Sequence, residues 1–560
     1  MSIYDKSSLV LIPSGTKTGK VFSQKPVSGD GDFTFTRASA ATRVNADGNI
    51  EKETGNLLLQ SNTFSTTWGN SNTTETSGQS GYDGTNDAWL LTSTTGGGAI
   101  GQSISSSGVQ TFSVYAKSGT LNWMAFTISG LSPSQAYFDL QNGALGSSGS
   151  EIITSNIESV GGGWYRCSVL VNGAVSGVNI YPANANNQVS VLGSIYIQDA
   201  QLNQGLIAQE VITTTTTALY GGITDNTPRL DYTDSSCPAL LLEPLRTNQM
   251  RYSEYQSGGG FNLGANITWN GFVESPEGVT NASRFTSNSS GSSYVQAIDI
   301  VIPSGDFTYS MWVRGISGSF SNTALYIPAG IGSVYMNEIP VAGEDWKLVY
   351  GTGNNSGSAV TRQITLPFYD QPAGVVWEMY GFQLEAGSYA TSYIPTYGSS
   401  VSRVAEASYA TGASDVIGQT EGTLFVEYDQ NLIGQAATRR IMALSNGTTS
   451  NRIVVYVSSS NKIDFYVRNS SGQLFLGTSA NFNTKGMHKI AAAYKNGDYV
   501  VYLDGTQIIS GAGTAGTIPA CNRIDLGNQM GANDLFEPVY QAMLFKTRLS
   551  NEELAALTTI

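Results

Sequence analysis

Residues 425–431 read FVEYDQN, so Glu427 and Asp429 fall two apart and share one face if the segment is a strand. A pair of carboxylates flanking a glycosidic bond is the usual equipment for cleaving it, one as acid and the other as base or nucleophile. The next position on that face is Asn431, an amide, and the row of acids stops there. The sequence holds a single histidine, His488, in KGMHKIAAAY, so a Ser-His-Asp triad would have to be built around it and a histidine-rich metal site is excluded. Its place at a strand entrance predicts a surface or packing role. Cys167, Cys237 and Cys521 stand far apart with no C-x-x-C pair, which argues against a disulfide framework or a zinc site. The stretch SLVLIPSGTKTGKV has the outline of a phosphate-binding loop, but Gly15 and Gly19 are one residue too close and Val21 replaces the magnesium-binding hydroxyl. Pro26 and the glycines and aspartates around it prevent the helix such a loop must open. No catalytic residue, metal ligand or cofactor is expected.

Binding needs less than catalysis. Saccharide sites set aromatic faces against the apolar side of a sugar ring and surround its hydroxyls with amide and small polar groups. Trp123, Tyr137, Tyr326 and Tyr335 are the candidates for that role, because they lie where two repeated segments of the chain differ most.

The elements that would carry these residues are strands. Of 560 residues only 12% are charged, about half the ordinary share, and 64 are glycine. Short runs rich in Val, Ile, Phe and Tyr recur between Gly, Asn and Ser turns, an all-β pattern. The net charge of −14, with no basic cluster among aromatics, argues against nucleic acid. The run LVLIP is too short for a signal-peptide core or a membrane span, so a soluble protein made in a cytoplasm is expected.

Two segments repeat. NLLLQSNTFSTTW (56–68) is echoed by NQMRYSEYQSGGGF (248–261), TFSVYAKSG (111–119) by TYSMWVRGI (308–316), GGGWYRCSVLV (161–171) by GEDWKLVYGTG (343–353), and IYIQDAQLNQG (195–205) by WEMYGFQLEAG (377–387). Phe112, Val114 and Ala116 alternate with Ser113, Tyr115 and Lys117, as in a half-buried strand, and Trp164 and Trp346 recur as core residues. The resulting division is an N-terminal extended segment over 1–52, a first module over 53–207, a linker over 208–246, a second module over 247–396, a linker over 397–416 and a third domain over 417–560. In the last, Asn496-Gly497 and Asp504-Gly505 predict hairpin turns. RLSNEELAALTT predicts a helix with Ser550 as N-cap, Glu553 as its capping-box partner and Leu549 and Leu554 as a hydrophobic staple.

HKIAAAYKNGDYVVYLDGTQI, RIDLGNQ and QAMLFKTRLSNEELAALT resemble the laminin-G-like, concanavalin-A-like lectin fold of bacteriophage virion proteins. FTFTRASAATRVNADGNIE (33–51), NTPRLDYTDSSCPALLLEPLRTN (226–248) and TSYIPTYGSSVSRVAEA (391–407) resemble connectors of phage fibre and appendage proteins, where they flank carbohydrate-binding-like jelly rolls. The resemblance implies tandem jelly-roll β-sandwiches followed by a concanavalin-A-like sandwich, in a structural virion protein that forms homotrimers and contacts host-surface glycans. The segment 1–52 would then dock to other virion proteins. Glucanases on the concanavalin-like fold carry E-x-D-x-E, which Asn431 leaves incomplete, so a non-enzyme is expected. A polysaccharide depolymerase and a purely architectural decoration protein are the alternatives. Calcium occurs in laminin-G-like domains, but no dense Asp/Asn loop is present here.

Overall fold

The computed structural model describes residues 2–289, 291–328, 330–431, 438–527 and 537–560. Three antiparallel β-sandwiches account for nearly all of it, which agrees with the all-β expectation.

The first sandwich faces one six-stranded sheet against another. One sheet runs, in spatial order, Ile152–Gly161, Trp164–Asn172, Val109–Ser118, Gly193–Gln204, Ala88–Ser93 and Thr73–Gln79. The other runs Ala144–Ser148, Gln135–Asp139, Trp123–Ser129, Val175–Ala183, Ala99–Ser106 and Gly69–Ser71. Alternation decides what each strand buries: Phe112, Val114 and Ala116 from one sheet meet Met124, Phe126 and Ile128 from the other in a dry core.

The sequence repeat is a repeat of topology. In the second sandwich Lys347–Asn355, Gly305–Ser317, Val376–Ala386, Thr280–Ser287 and Ile267–Glu274 follow one another as their counterparts do in the first. The facing sheet, Gly332–Tyr335, Ala324–Ile327, Val360–Thr365, Val295–Ile302 and Phe261–Leu263, matches as well, and the first sandwich adds one edge strand to each sheet. Even an irregularity is shared. Asp199 and Gly381 both take a left-handed backbone, at φ 50° and 67°, where the strands opposite slip register. Of the paired tryptophans, Trp164 is a core residue as expected and Trp346 is not. Trp164 is buried, but on the outer face with Tyr82 and Tyr115, and Trp346 is half-buried beneath the Arg314 guanidinium, 4.9 Å from its ring. Neither lies between sheets.

The third sandwich is discontinuous in sequence. Its larger sheet contains Phe33–Thr36 and Ala407–Thr411 beside Arg523–Leu526, Arg439–Ser445, Arg452–Val457, Lys462–Asn469 and Gly472–Asn481. The facing sheet sets Leu9–Leu11 and Ala239–Leu240 along Val539–Phe545, which pairs with Glu421–Gln430. Leu9 pairs with Leu544, and Ser408 with both Phe35 and Leu526. Leu9, Leu11, Phe33 and Phe35 are buried in its core. Residues 1–52 are therefore not an extended segment, because their apolar side chains supply strands that this sandwich lacks. The linkers over 208–246 and 397–416 contribute short strands to neighbouring sheets. Thr16–Lys17 and Lys20–Val21 form a small hairpin in the stretch that has the outline of a phosphate-binding loop.

Buried charges knot these crossing segments together. Arg37 Nη1 donates to Glu406 at 2.8 Å, Arg229 bridges Glu406 and Glu243, and Arg403 Nη1 lies 3.0 Å from Glu243. The Arg37, Arg229, Arg403 and Glu406 side chains are wholly buried. Burial opposes ionisation of Glu243, yet Arg403 and Arg229 outweigh it and hold the carboxyl well below its usual range. Lys52 ties the N-terminal strands to the second sandwich by ion pairs with Glu254 at 3.2 Å and Glu277 at 2.6 Å.

The helix forms at Asn551–Thr558 with the expected capping box: Glu553 N donates to Ser550 Oγ at 3.2 Å and Ser550 N to Glu553 Oε2 at 2.9 Å. Leu549 and Leu554 are buried with Val10 and Phe425 on the outer face of the third sandwich.

Candidate functional site

Trp123 and Tyr137 come together on the outer face of the first sandwich's second sheet. Ala125 pairs with Tyr137 on one side and Tyr181 on the other, and Trp123 is two residues before Ala125 on the same face. Their accessibility differs. Trp123 and Tyr181 are half-buried, whereas Tyr137 is only 4% exposed. The edge strand explains the covering: a Cβ on Gly146 would lie 2.8 Å from Tyr137 Cβ and 2.9 Å from Trp123 Cζ3. Burial, and then the Tyr181 phenol, push the Tyr137 phenol up. Tyr137 therefore supports the platform and offers no free ring face; Tyr181, which sequence reasoning missed, offers one.

Beside these rings the sheet floor drops. A groove of about 910 Å³ runs over the strands Gly69–Ser71, Ala99–Ser106, Val175–Ala183 and the end of Trp123–Ser129. Gly69 pairs with Gly101, Gly101 with Asn179, and Asn179 with Thr127, so one row crosses four strands, roughly 15 Å from first to last. The next row holds Ser103, Gly177 and Ser129. Asn179 Nδ2 donates to Ser129 Oγ at 3.1 Å. Gln102, on the opposite side of its strand, holds Leu59 through both backbone groups, at 2.7 and 2.8 Å, and so fixes one wall.

None of Gly69, Gly101 and Gly177 has a positive φ, but a Cβ on Gly101 would lie 2.2 Å from Asn179 Oδ1 and 2.8 Å from the Val178 carbonyl, and one on Gly177 3.1 Å from the Gln102 carbonyl, so the protein's own atoms account for those two and Gly69 is the informative one. Glycine inside a strand costs about 0.5–1 kcal/mol relative to alanine, and where no left-handed backbone demands it, close approach of another group is the usual reason. At Gly69 a Cβ would meet only the Gly101 carbonyl, at 3.8 Å, so the space above it is open. No side chain lining the groove is charged. Asp139, on the same face near Trp123, has its carboxylate occupied by Gln141 N, Asn142 N and Asn142 Nδ2. The groove thus offers an aromatic end, a flat floor, and hydroxyl and amide groups around it. That is a set for hydrogen-bonding and stacking a polyhydroxylated ligand, and no carboxylate or imidazole stands among the described lining residues.

No family model and no curated protein matches the sequence. Among solved structures, the CBM40 module of the Ruminococcus gnavus IT-sialidase aligns at 17% identity over 26% of this chain and 86% of its own, with a TM-score of 0.23. A heptameric SAP-like pentraxin from Limulus polyphemus aligns at 12% over 24% and 68%, with a TM-score of 0.19. Trypanosoma rangeli sialidase aligns at 10% over 93% and 98%, with a TM-score of 0.23.

The second sandwich places Tyr326 and Tyr335 on the equivalent sheet face, on the strands that correspond to those of Trp123 and Tyr137. They are 43% and 72% exposed. Here glutamines occupy the floor: Gln363 donates to Gln296 at 2.6 Å and Gln296 to Thr365 Oγ1 at 3.1 Å, building the surface up. Tyr326 pairs with Thr365, next to that ladder.

The carboxylates of FVEYDQN face away from the core of the third sandwich, since Leu424, Val426 and Tyr428 face into it. Glu427 pairs across the sheet with Lys489, whose Nζ lies 3.9 Å away, and Asp429 accepts from Asn431 Nδ2 at 3.1 Å. His488 is buried, with Nδ1 2.6 Å from Asp504 Oδ2 and Nε2 3.2 Å from the Thr484 carbonyl. Both ring nitrogens are thereby engaged in holding a turn.

Proposed function

We propose that this protein binds carbohydrate without cleaving it, and that the first sandwich's groove holds a short run of neutral sugar rings from a host-surface glycan. The observation that carries the reading is Gly69, an edge-strand glycine with an ordinary backbone and open space above it, in one row with Asn179 and on the same face as Tyr181. Absence of charge along the lining favours a neutral ligand, because a carboxylated sugar would give up hydration with no cation to receive it. Tyr326 and Tyr335 supply a second, flatter contact on the neighbouring sandwich, and weak sites on one chain gain by effective concentration. The test is retention on host cells and on purified neutral surface glycan, with reducing ends measured in parallel. Tyr181→Ala is expected to lower retention about tenfold, the worth of one aromatic stacking contact. Retention unchanged in that variant would overturn the groove assignment, and accumulating reducing ends would overturn the non-enzymatic reading.

The finer reading is a bacteriophage appendage, on head or tail, made of homotrimers. Its support is the resemblance of the connectors at 33–51, 226–248 and 391–407 to those of phage fibre proteins. Light scattering at micromolar concentration is expected to give three times the chain mass; a stable monomer would overturn it.

A further inference from the structure

The opposite face of the first sandwich carries a second recess that the groove does not explain. The strands Ile152–Gly161, Trp164–Asn172 and Val109–Ser118 turn three cross-strand rows outward: Thr154, Leu170 and Thr111; Asn156, Ser168 and Ser113; Glu158, Arg166 and Tyr115. Phe272, Val279 and Thr280 of the second sandwich stand across from them and close a cleft of about 500 Å³ between the two modules. Its inner end is apolar, where Phe272 and Ile207 pack on Leu170 and Leu206. Its remaining walls are hydroxyls and an amide, with the Arg166 guanidinium and the Glu158 carboxylate. An apolar floor with few polar groups at a domain boundary is the ordinary make-up of a ligand site.

Arg166 makes no direct ion pair among the described residues, though the Asp199 carboxylate acts on it through space. Its guanidinium lies 5.3 Å over the Tyr115 ring, which itself stacks on Tyr82 at 3.7 Å, and Nη2 donates to Ser113 Oγ and to the Gln209 carbonyl. Nη1 makes no hydrogen bond among the described residues. Glu158 is directly opposite on the next strand, yet the two form no ion pair among the described residues. Some half-buried arginines elsewhere hold acids, as Arg284 and Arg314 both engage Glu378 and Arg523 engages Asp525, whereas Arg362 meets only the Thr361 carbonyl. In a chain with 42 acidic against 28 basic residues, a recessed guanidinium whose Nη1 edge takes no carboxylate is a place where an anion can be received.

We propose that this inter-module cleft binds a sugar unit bearing one carboxylate, of the hexuronate class. The carboxylate takes the Nη1 edge of Arg166, the ring hydroxyls take Asn156, Ser168 and Thr154, and the apolar ring face lies on Phe272. Glu158 decides between anions, since its charge opposes a doubly charged phosphate more than a singly charged carboxylate and can itself accept a sugar hydroxyl. The site is independent of the groove, which lies across the sandwich core.

The experiment titrates the full chain by calorimetry with a galacturonate trisaccharide, its carboxyl-reduced neutral counterpart, and inorganic phosphate. The trisaccharide is expected to bind about tenfold or more tightly than the reduced sugar, the worth of one charge-assisted hydrogen bond. Arg166→Gln and Phe272→Ala should each lower its affinity about tenfold or more, while Tyr181→Ala leaves it unchanged and so separates this site from the groove. Arg166→Lys, which keeps the charge and loses the planar fork, covers the case in which Arg166→Gln unfolds, and should also weaken binding. Equal binding of acid and reduced sugar, no binding of the acid, phosphate binding as tightly as the acid, or loss of acid binding in Tyr181→Ala would each overturn the proposal.

Discussion

Gly69→Thr separates folding from binding at the groove. Gly69 sits in a regular edge strand, and an added Cβ there has one neighbour within 4 Å, the Gly101 carbonyl at 3.8 Å. A threonine therefore enters open space without moving protein atoms. Replacing a strand glycine by a β-branched residue should leave stability unchanged or raise it by about 0.5–1 kcal/mol. For a ligand the same side chain is an obstruction on the floor, beside Gly101 and one pair removed from Asn179. Lifting a sugar ring off that row loses a hydrogen bond and its packing, about 1–3 kcal/mol, which corresponds to roughly five- to a hundredfold in Kd. Urea unfolding followed by intrinsic fluorescence gives the first quantity, and calorimetric titration with the glycan gives the second. Gly101→Ala is a poorer probe, because its Cβ would sit 2.2 Å from Asn179 Oδ1 and disturb the fold too. Full stability with glycan affinity within twofold of wild type would refute the inference that Gly69 is there to admit a ligand.

Two further perturbations address the charged knot and the woven strands. Arg229→Met leaves Glu243 and Glu406 buried without their shared partner and should cost about 3–5 kcal/mol in urea unfolding. The wild type should also lose stability as pH falls below the ordinary carboxylate value of 4.5, because Glu243 and Glu406 hold their protons less tightly folded than unfolded; a flat profile between pH 6 and 3 would contradict the ion pairing. Deleting residues 2–36 should open the third sandwich, seen as proteolysis of residues beyond 400 and as aggregation, whereas a monodisperse, protease-resistant product would show that those strands are dispensable.

The repeat was legible in the sequence because each of its strands is long enough to show alternation, as TFSVYAKSG and TYSMWVRGI do, and because insertions fell in turns. The third sandwich's discontinuity was not. Its extra strands are two to four residues long, and their partners are hundreds of positions away, as Leu9 is from Leu544. Buried Arg37, Arg229 and Arg403 made the same stretches look solvated, since an ion pair's mutual burial leaves no local mark. At the groove, Trp123 and Tyr137 were visible as aromatics outside the repeat, but their burial depends on Gly146 of a third strand. Tyr181 had a signal that was available: in VSGVNIYPA the outward set is Gly177, Asn179 and Tyr181, a combination with little to offer a structural face.

The pairing of Leu9–Leu11 with Val539–Phe545 sets an order of events during synthesis. Both jelly rolls are complete within contiguous stretches and can fold as each leaves the ribosome. The third sandwich must wait, with Leu9, Phe33 and Phe35 uncovered, until Val539–Phe545 has been made. A chain cut short by a premature stop would then carry two finished jelly rolls on a body that cannot close. Its exposed apolar strands would mark it for capture by chaperones or proteases, so that release of the finished jelly rolls is coupled to having translated the closing strand.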